Sequence, residues 1–140
     1  MKIEFDDNLI TKNELIDSQH QELITRIKQL VESCEQGAGK VKAIQMLDYL
    51  SDYTNFHFSA EEKLQEEVGY PGLLEHRKKH EEFKKTLHDL DVFLEEAEGP
   101  SDAFVSQVET NVVNWLFTHI KTFDRSVAEF IFLNDNPERL

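Results

Sequence analysis

The chain has one cysteine, Cys34, in 140 residues, so no disulfide can close within it. That excludes a fold held by cross-links and fits a reducing compartment, so the expected location is the cytoplasm. Glycine and proline are also scarce, at five and three residues. A fold of many short strands needs turn residues at frequent intervals, and this chain does not have them. Bases are outnumbered: 15 Lys and Arg face 28 Asp and Glu, for a formal net charge of −13. Such a surface repels phosphate polymers and anionic lipid, so neither nucleic acid nor a membrane is an expected partner. No run reaches the roughly 18 apolar residues of a membrane span. The opening MKIEFDDNLITKNELID has no apolar stretch after its lysine and does not read as a secretory leader.

The few glycines and prolines are grouped. GAG at 37–39, GYPG at 69–72 and GP at 99–100 divide the chain into four segments. Each segment carries apolar residues at spacings of three and four, the signature of an amphipathic helix. The first segment, about 17–36, directs His20, Leu23, Ile24, Ile27, Leu30, Val31 and Cys34 inward, with Asp17 or Ser18 as its cap. The second, about 40–67, directs Ile44, Leu47, Leu50, Thr54, His57, Phe58, Glu61 and Leu64 inward. The third, about 72–96, uses Leu73, His76, His80, Phe83, Leu87, Leu90 and Leu94. The fourth, about 101–133, uses Val105, Val108, Val112, Trp115, Leu116, His119, Ile120 and Phe123. Four long helices with short turns predict an all-α, antiparallel up-down-up-down four-helix bundle. The expected organisation is a single domain over 1–140, with residues 1–16 as an N-terminal arm anchored by Phe5.

What interrupts the apolar stripes is more informative. His20, His57, Glu61, His76, His80 and His119 all fall at inward positions. A buried ionised glutamate is costly unless paired or metal-bound. Several buried imidazoles are hard to satisfy by hydrogen bonds alone, whereas one metal centre satisfies them together. His57/Glu61 and His76/His80 are each four apart, so each pair projects from adjacent turns of one face. Arg77, Lys78 and Lys79 point outward between the latter two. The sixth histidine, His88, lies beside the stripe with no ligand type at matching spacing and is read as partly exposed and structural.

The order His20, HFSAE at 57–61, HRKKH at 76–80 and HIKTFD at 119–124 resembles the hemerythrin family, most of all its bacterial single-domain form. IDSQHQEL around His20, GYP at 69–71 and Trp115 ahead of His119 extend the resemblance over nearly the whole chain. The resemblance implies two iron ions in an oxo- or hydroxo-bridged centre that binds dioxygen. His76, His80 and His119 would hold one iron, and His20 and His57 the other. Glu61 and Asp124 would bridge the pair. Among Leu23, Phe58, Trp115, Leu116 and Ile120, several would line an oxygen pocket. Two positions depart from the family's habit: Phe5 where tryptophan is frequent, and Gln65 near a frequent methionine.

Imidazole and carboxylate both suit iron, and a histidine-rich set favours reversible binding over O–O cleavage. The expected function is therefore reversible dioxygen binding for storage, transport or scavenging. A sensor of oxygen, redox state or iron acting through a partner is one alternative. A di-iron enzyme with peroxidase or nitric-oxide-related activity is another. No nucleophile–base pair is visible, so the expectation is a binding protein and not an enzyme. One spacing poses a structural question. His119 and Asp124 are five apart, which puts them roughly 140° from each other on an ideal helix. A helix loosened to i→i+5 bonding brings that down to roughly 50°, so a backbone irregularity is expected between them.

Overall fold

The computed structural model describes residues 2–136. Helix α1 runs Glu14–Glu35, α2 Lys40–Val68 and α3 Leu73–Glu96. A fourth helix runs without a break from Asp102 to Asp135. Among the described residues there is no strand, and no helix is long and apolar enough to cross a membrane.

The chain ends each helix where backbone chemistry allows it. Gly37 (φ 83°) and Gly69 (φ 68°) take the left-handed conformation that closes α1 and α2. Ser101 starts the fourth helix by accepting a hydrogen bond from the Phe104 amide.

The start of α1 differs from expectation. Asn13, and not Asp17 or Ser18, caps it, with its side chain accepting from Ile16 N at 3.0 Å. Asp17 is already helical, and its carboxylate accepts from Thr11 N, Thr11 Oγ1 and Lys12 N. That bond set fastens the arm to the helix and leaves the arm shorter than 1–16. Phe5 packs partly buried against the core, but Ile3 and Leu9 are the arm's buried anchors. Their two-residue context carries no helical period, so the stripe analysis passed over them. At the start of α2 it is Ala43 that is fully buried, and Ile44 is half-buried. Cys34 is also half-buried, packed at the margin of the core.

Two apolar clusters fill the bundle. The large one takes residues from all four helices, from Leu23 through Leu47, Phe83 and Leu116 to Ile120. The small one is Ile16, Val127 and Ala128, with Leu64, Tyr70 and Ile131 packed on it. Along α1 the order is small cluster, His20, large cluster. Along α2 it is large cluster, His57 and Glu61, small cluster. Helix α3 starts at the polar layer with His76 and His80 and runs into the large cluster, with Tyr70 of the small cluster just ahead of it, and the fourth helix repeats the order of α2. The alternation is the up-down-up-down topology, and it places the five histidines, Glu61 and Asp124 in one layer between the two clusters.

The fourth helix has two internal π segments, Glu109–Val113 and Ile120–Asp124. Its most buried line is Phe104, Val108, Val112, Leu116, Ile120, Asp124 and Ala128, which is six consecutive steps of four. An α-helix makes roughly 6.7 revolutions over that span, while a straight line needs six. Two π segments, each absorbing about one extra residue, bring the count to about 6.1. This line differs from the expected stripe. Val105, Trp115 and Phe123 are only half-buried.

Candidate metal centre

Each helix contributes to the polar layer. α1 gives His20, α2 gives His57 and Glu61, α3 gives His76 and His80, and the fourth helix gives His119 and Asp124. All seven are buried, none more than 3 % exposed. The second π segment decides the last pair. It lets His119 and Asp124 face the same interior point, with His119 Nε2 3.2 Å from Asp124 Oδ1. On its outer side, Thr122 Oγ1 donates to Thr118 O at 2.7 Å and Ser126 Oγ donates to Thr122 O at 2.8 Å. These hydroxyls occupy carbonyls along the loosened stretch of the helix.

The seven side chains form two groups that share two members. Glu61, His76, His80, His119 and Asp124 make one, and His20, His57, Glu61 and Asp124 make the other. Within each group one ligand atom per residue lies within 4.8 Å of all the rest. Glu61 Oε1 is 2.7 Å from His76 Nε2, and Glu61 Oε2 is 3.3 Å from His57 Nε2. Asp124 Oδ1 is 2.9 Å from His76 Nε2, and Oδ2 is 2.8 Å from His20 Nε2. Each carboxylate therefore turns one oxygen to each group.

Proximity here is not satisfaction. His20 Nε2, His57 Nε2, His80 Nε2, Glu61 Oε2 and both Asp124 oxygens are buried without a hydrogen-bond partner among the described residues, despite the short approaches. These close approaches do not have hydrogen-bond geometry. His76 Nε2 and His119 Nε2 even face each other at 2.9 Å. Buried polar atoms left this way are costly. Cations held by the two ligand groups would satisfy them, so the donor set fits metal ions.

Without cations, protons take part of that role. Burial and the nearby Asp124 charge push Glu61 upward, but the imidazoles of His57, His76 and His80 outweigh them and hold it down to about 2. Burial also opposes ionisation of Asp124, yet His119 and His20 keep it well below the usual carboxylate range. His76 loses ground to burial and gains more from the Asp124 and Glu61 carboxylates, ending raised to about 9. His20 is raised despite its burial, because of Asp124, whereas burial wins at His119 and lowers it.

Three residues behind the ring were not singled out as contacts. Gln19 Oε1 meets His57 Nδ1 at 2.6 Å, and Glu62 Oε2 meets His80 Nδ1 at 2.7 Å. Gln65 Nε2 lies 2.9 Å from His76 Nδ1 and leaves its own Oε1 buried without a partner. Each reaches from one helix to a histidine on another, a relation that periodicity within a single helix does not reveal. Aromatic rings complete the surroundings. Phe58 stacks on His80 at 3.8 Å, and Trp115 stacks on His119 at 4.5 Å. Leu23, Leu116 and Ile120 are fully buried nearby, while Trp115 keeps part of its surface exposed. His88 is exposed and stands outside both groups.

A profile of the Hemerythrin HHE cation binding domain matches residues 11–131. The chain belongs to the hemerythrin family. Its hemerythrin relatives include the bacteriohemerythrin of Stenotrophomonas maltophilia (strain R551-3), 31% identical over 123 residues, which span 88% of this chain and 77% of that protein. The bacteriohemerythrin of Pseudomonas aeruginosa (strain LESB58) is 30% identical over 89% of this chain and 78% of its own length. The myohemerythrin of Riftia pachyptila is 29% identical over 86% of each chain. As a hemerythrin domain, the bundle is a cation-binding module, and the His/Glu/Asp layer is the cluster suited to that role.

Proposed function

We propose that this hemerythrin-family chain binds dioxygen reversibly at two iron ions held in the polar layer. The observation that carries the reading is the pair of ligand groups sharing Glu61 and Asp124, with unpartnered buried atoms in both. His76, His80 and His119 would hold one ion, His20 and His57 the other, and the two carboxylates would bridge them. The chemistry such a group would supply, when bound and reduced, is electron donation to dioxygen. The imidazole-rich set suits iron and keeps the site's negative charge low.

The rest of the work falls to the chain's own side chains. Gln19 and Glu62 accept from Nδ1–H, which fixes the tautomer that turns Nε2 inward. Gln65 does the same for His76 once its amide turns so that Oε1 faces the ring. Leu23, Phe58, Leu116 and Ile120 are fully buried and exclude water, with the Trp115 ring completing the wall on the exposed side. A dry apolar wall admits a small neutral gas and opposes loss of charged reduced oxygen. The test is an optical cycle on iron-loaded protein: reduce, admit oxygen, then remove it. The expected result is a charge-transfer band that appears and disappears with oxygen, at two iron atoms per chain. Irreversible oxidation in the first exposure counts against the carrier reading.

A further inference from the structure

The imidazoles of the two groups differ in what stands behind them. On the three-histidine side, His80 Nδ1 meets the Glu62 carboxylate at 2.7 Å, and Glu62 is itself held by Arg77 Nε at 3.0 Å. His76 Nδ1 on that side faces the Gln65 amide. On the two-histidine side, His57 meets only the neutral Gln19 amide, and His20 Nδ1 has no hydrogen-bond partner. An amide oxygen fixes the orientation of a ring. A carboxylate does that too, and it also raises the basicity of the far nitrogen.

We infer that Glu62 is a positioning residue that makes the three-histidine position the tighter of the two, so that metal fills it first. The inference rests on the reading of these side chains as metal ligands. Both positions share Glu61 and Asp124, so the difference between them lies in the histidines and their outer partners. Three rings against two favour the first position by number, and Glu62 favours it by charge. Glu62 sits one residue past the bridging Glu61 on α2, and its side chain is 17% exposed. It therefore keeps its charge at modest cost while its Oε2 reaches the buried ring. Arg77 holds it from the solvent side and fixes its direction.

The test is an anaerobic titration of the metal-free chain with Co²⁺, followed by absorption and calorimetry. Wild type is expected to show two binding steps. Glu62→Ala is expected to weaken the tighter step by about 10–100-fold, the usual cost of losing an outer partner. The other step, whose histidines Glu62 does not touch, should lose much less. Glu62→Gln keeps an oxygen acceptor and the side-chain volume, so a smaller loss in the same step is expected even if the alanine variant does not fold. Gln19→Ala should weaken the other step alone. Thermal melting of each metal-free variant separates lost folding from lost affinity. An unchanged tighter step in both Glu62 variants overturns the inference, as does an equal loss in both steps or a loss confined to the weaker one. If wild type takes up no Co²⁺ at all, the metal reading itself fails, and this inference falls with it.

Discussion

Glu61 and Asp124 each turn one oxygen to either half of the site, so neither half is complete without both. Asp124→Ala is expected to lower bound metal from two ions per chain to one or none, read by elemental analysis. Proton competition gives a second expectation at this scale. His76 is raised from 6.5 to about 9 in the metal-free chain, so its protonated form adds stability fully present below 6.5 and lost as pH rises through about 9. That same proton must leave Nε2 before a cation can bind. Metal affinity is therefore expected to climb between pH 6.5 and 9, with proton release visible by calorimetry in buffers of different ionisation enthalpy. Glu61 runs the other way: depressed from 4.5 to about 2, it adds stability present above 4.5 and lost as pH falls through about 2. The seven side chains of the layer were readable in the sequence because each breaks an apolar stripe or completes a family pattern. Gln19, Glu62 and Gln65 were not read as contacts of the histidines. They touch rings on neighbouring helices, and such a relation exists only after packing.

At the scale of the helix, the irregularity expected between His119 and Asp124 is a π segment at Ile120–Asp124. The second one, at Glu109–Val113, was not expected, although the sequence carries its signal. Apolar residues recurring strictly every four positions cannot stay on one face of an α-helix, which drifts by about 40° per step. The line from Phe104 to Ala128 therefore required extra residues in the backbone. Reading it as ordinary three-and-four spacing put Val105, Trp115 and Phe123 deeper than they lie. Inserting one alanine after exposed Thr122 should add a sixth step between His119 and Asp124 and turn that aspartate away from His119 by about 100°. Helical content by circular dichroism is expected to hold nearly constant while metal content collapses. Retention of the metal in that insertion would show that the spacing through Ile120–Asp124 does not set the geometry of the site.

For the whole molecule, topology was legible because turn residues are few and grouped, and four long periodic segments leave little choice of arrangement. The arm was less so: Thr11 and Lys12 bond to Asp17 through geometry that no periodicity encodes. The two apolar clusters are unequal, and stability should follow them. Leu47→Ala, deep in the large cluster at 0% exposure, should cost about 2–5 kcal/mol in global unfolding. Among the described residues the small cluster has only Ile16, Val127 and Ala128 as buried members, so little holds that end of the bundle shut. The polar layer thus has a thick floor and a thin roof. Proteins open locally as well as globally, and the weakest unit opens first. The metal should then leave through the roof, at a rate set by fraying of that end and not by unfolding of the bundle. Val127→Ala removes two methyl-sized groups from it, about 1.6 kcal/mol of burial, and should speed metal loss to a chelator by roughly tenfold. Leu47→Ala, for all its cost, should leave that rate nearly where it was, so this molecule's hold on its metal and its hold on its fold would be separate properties.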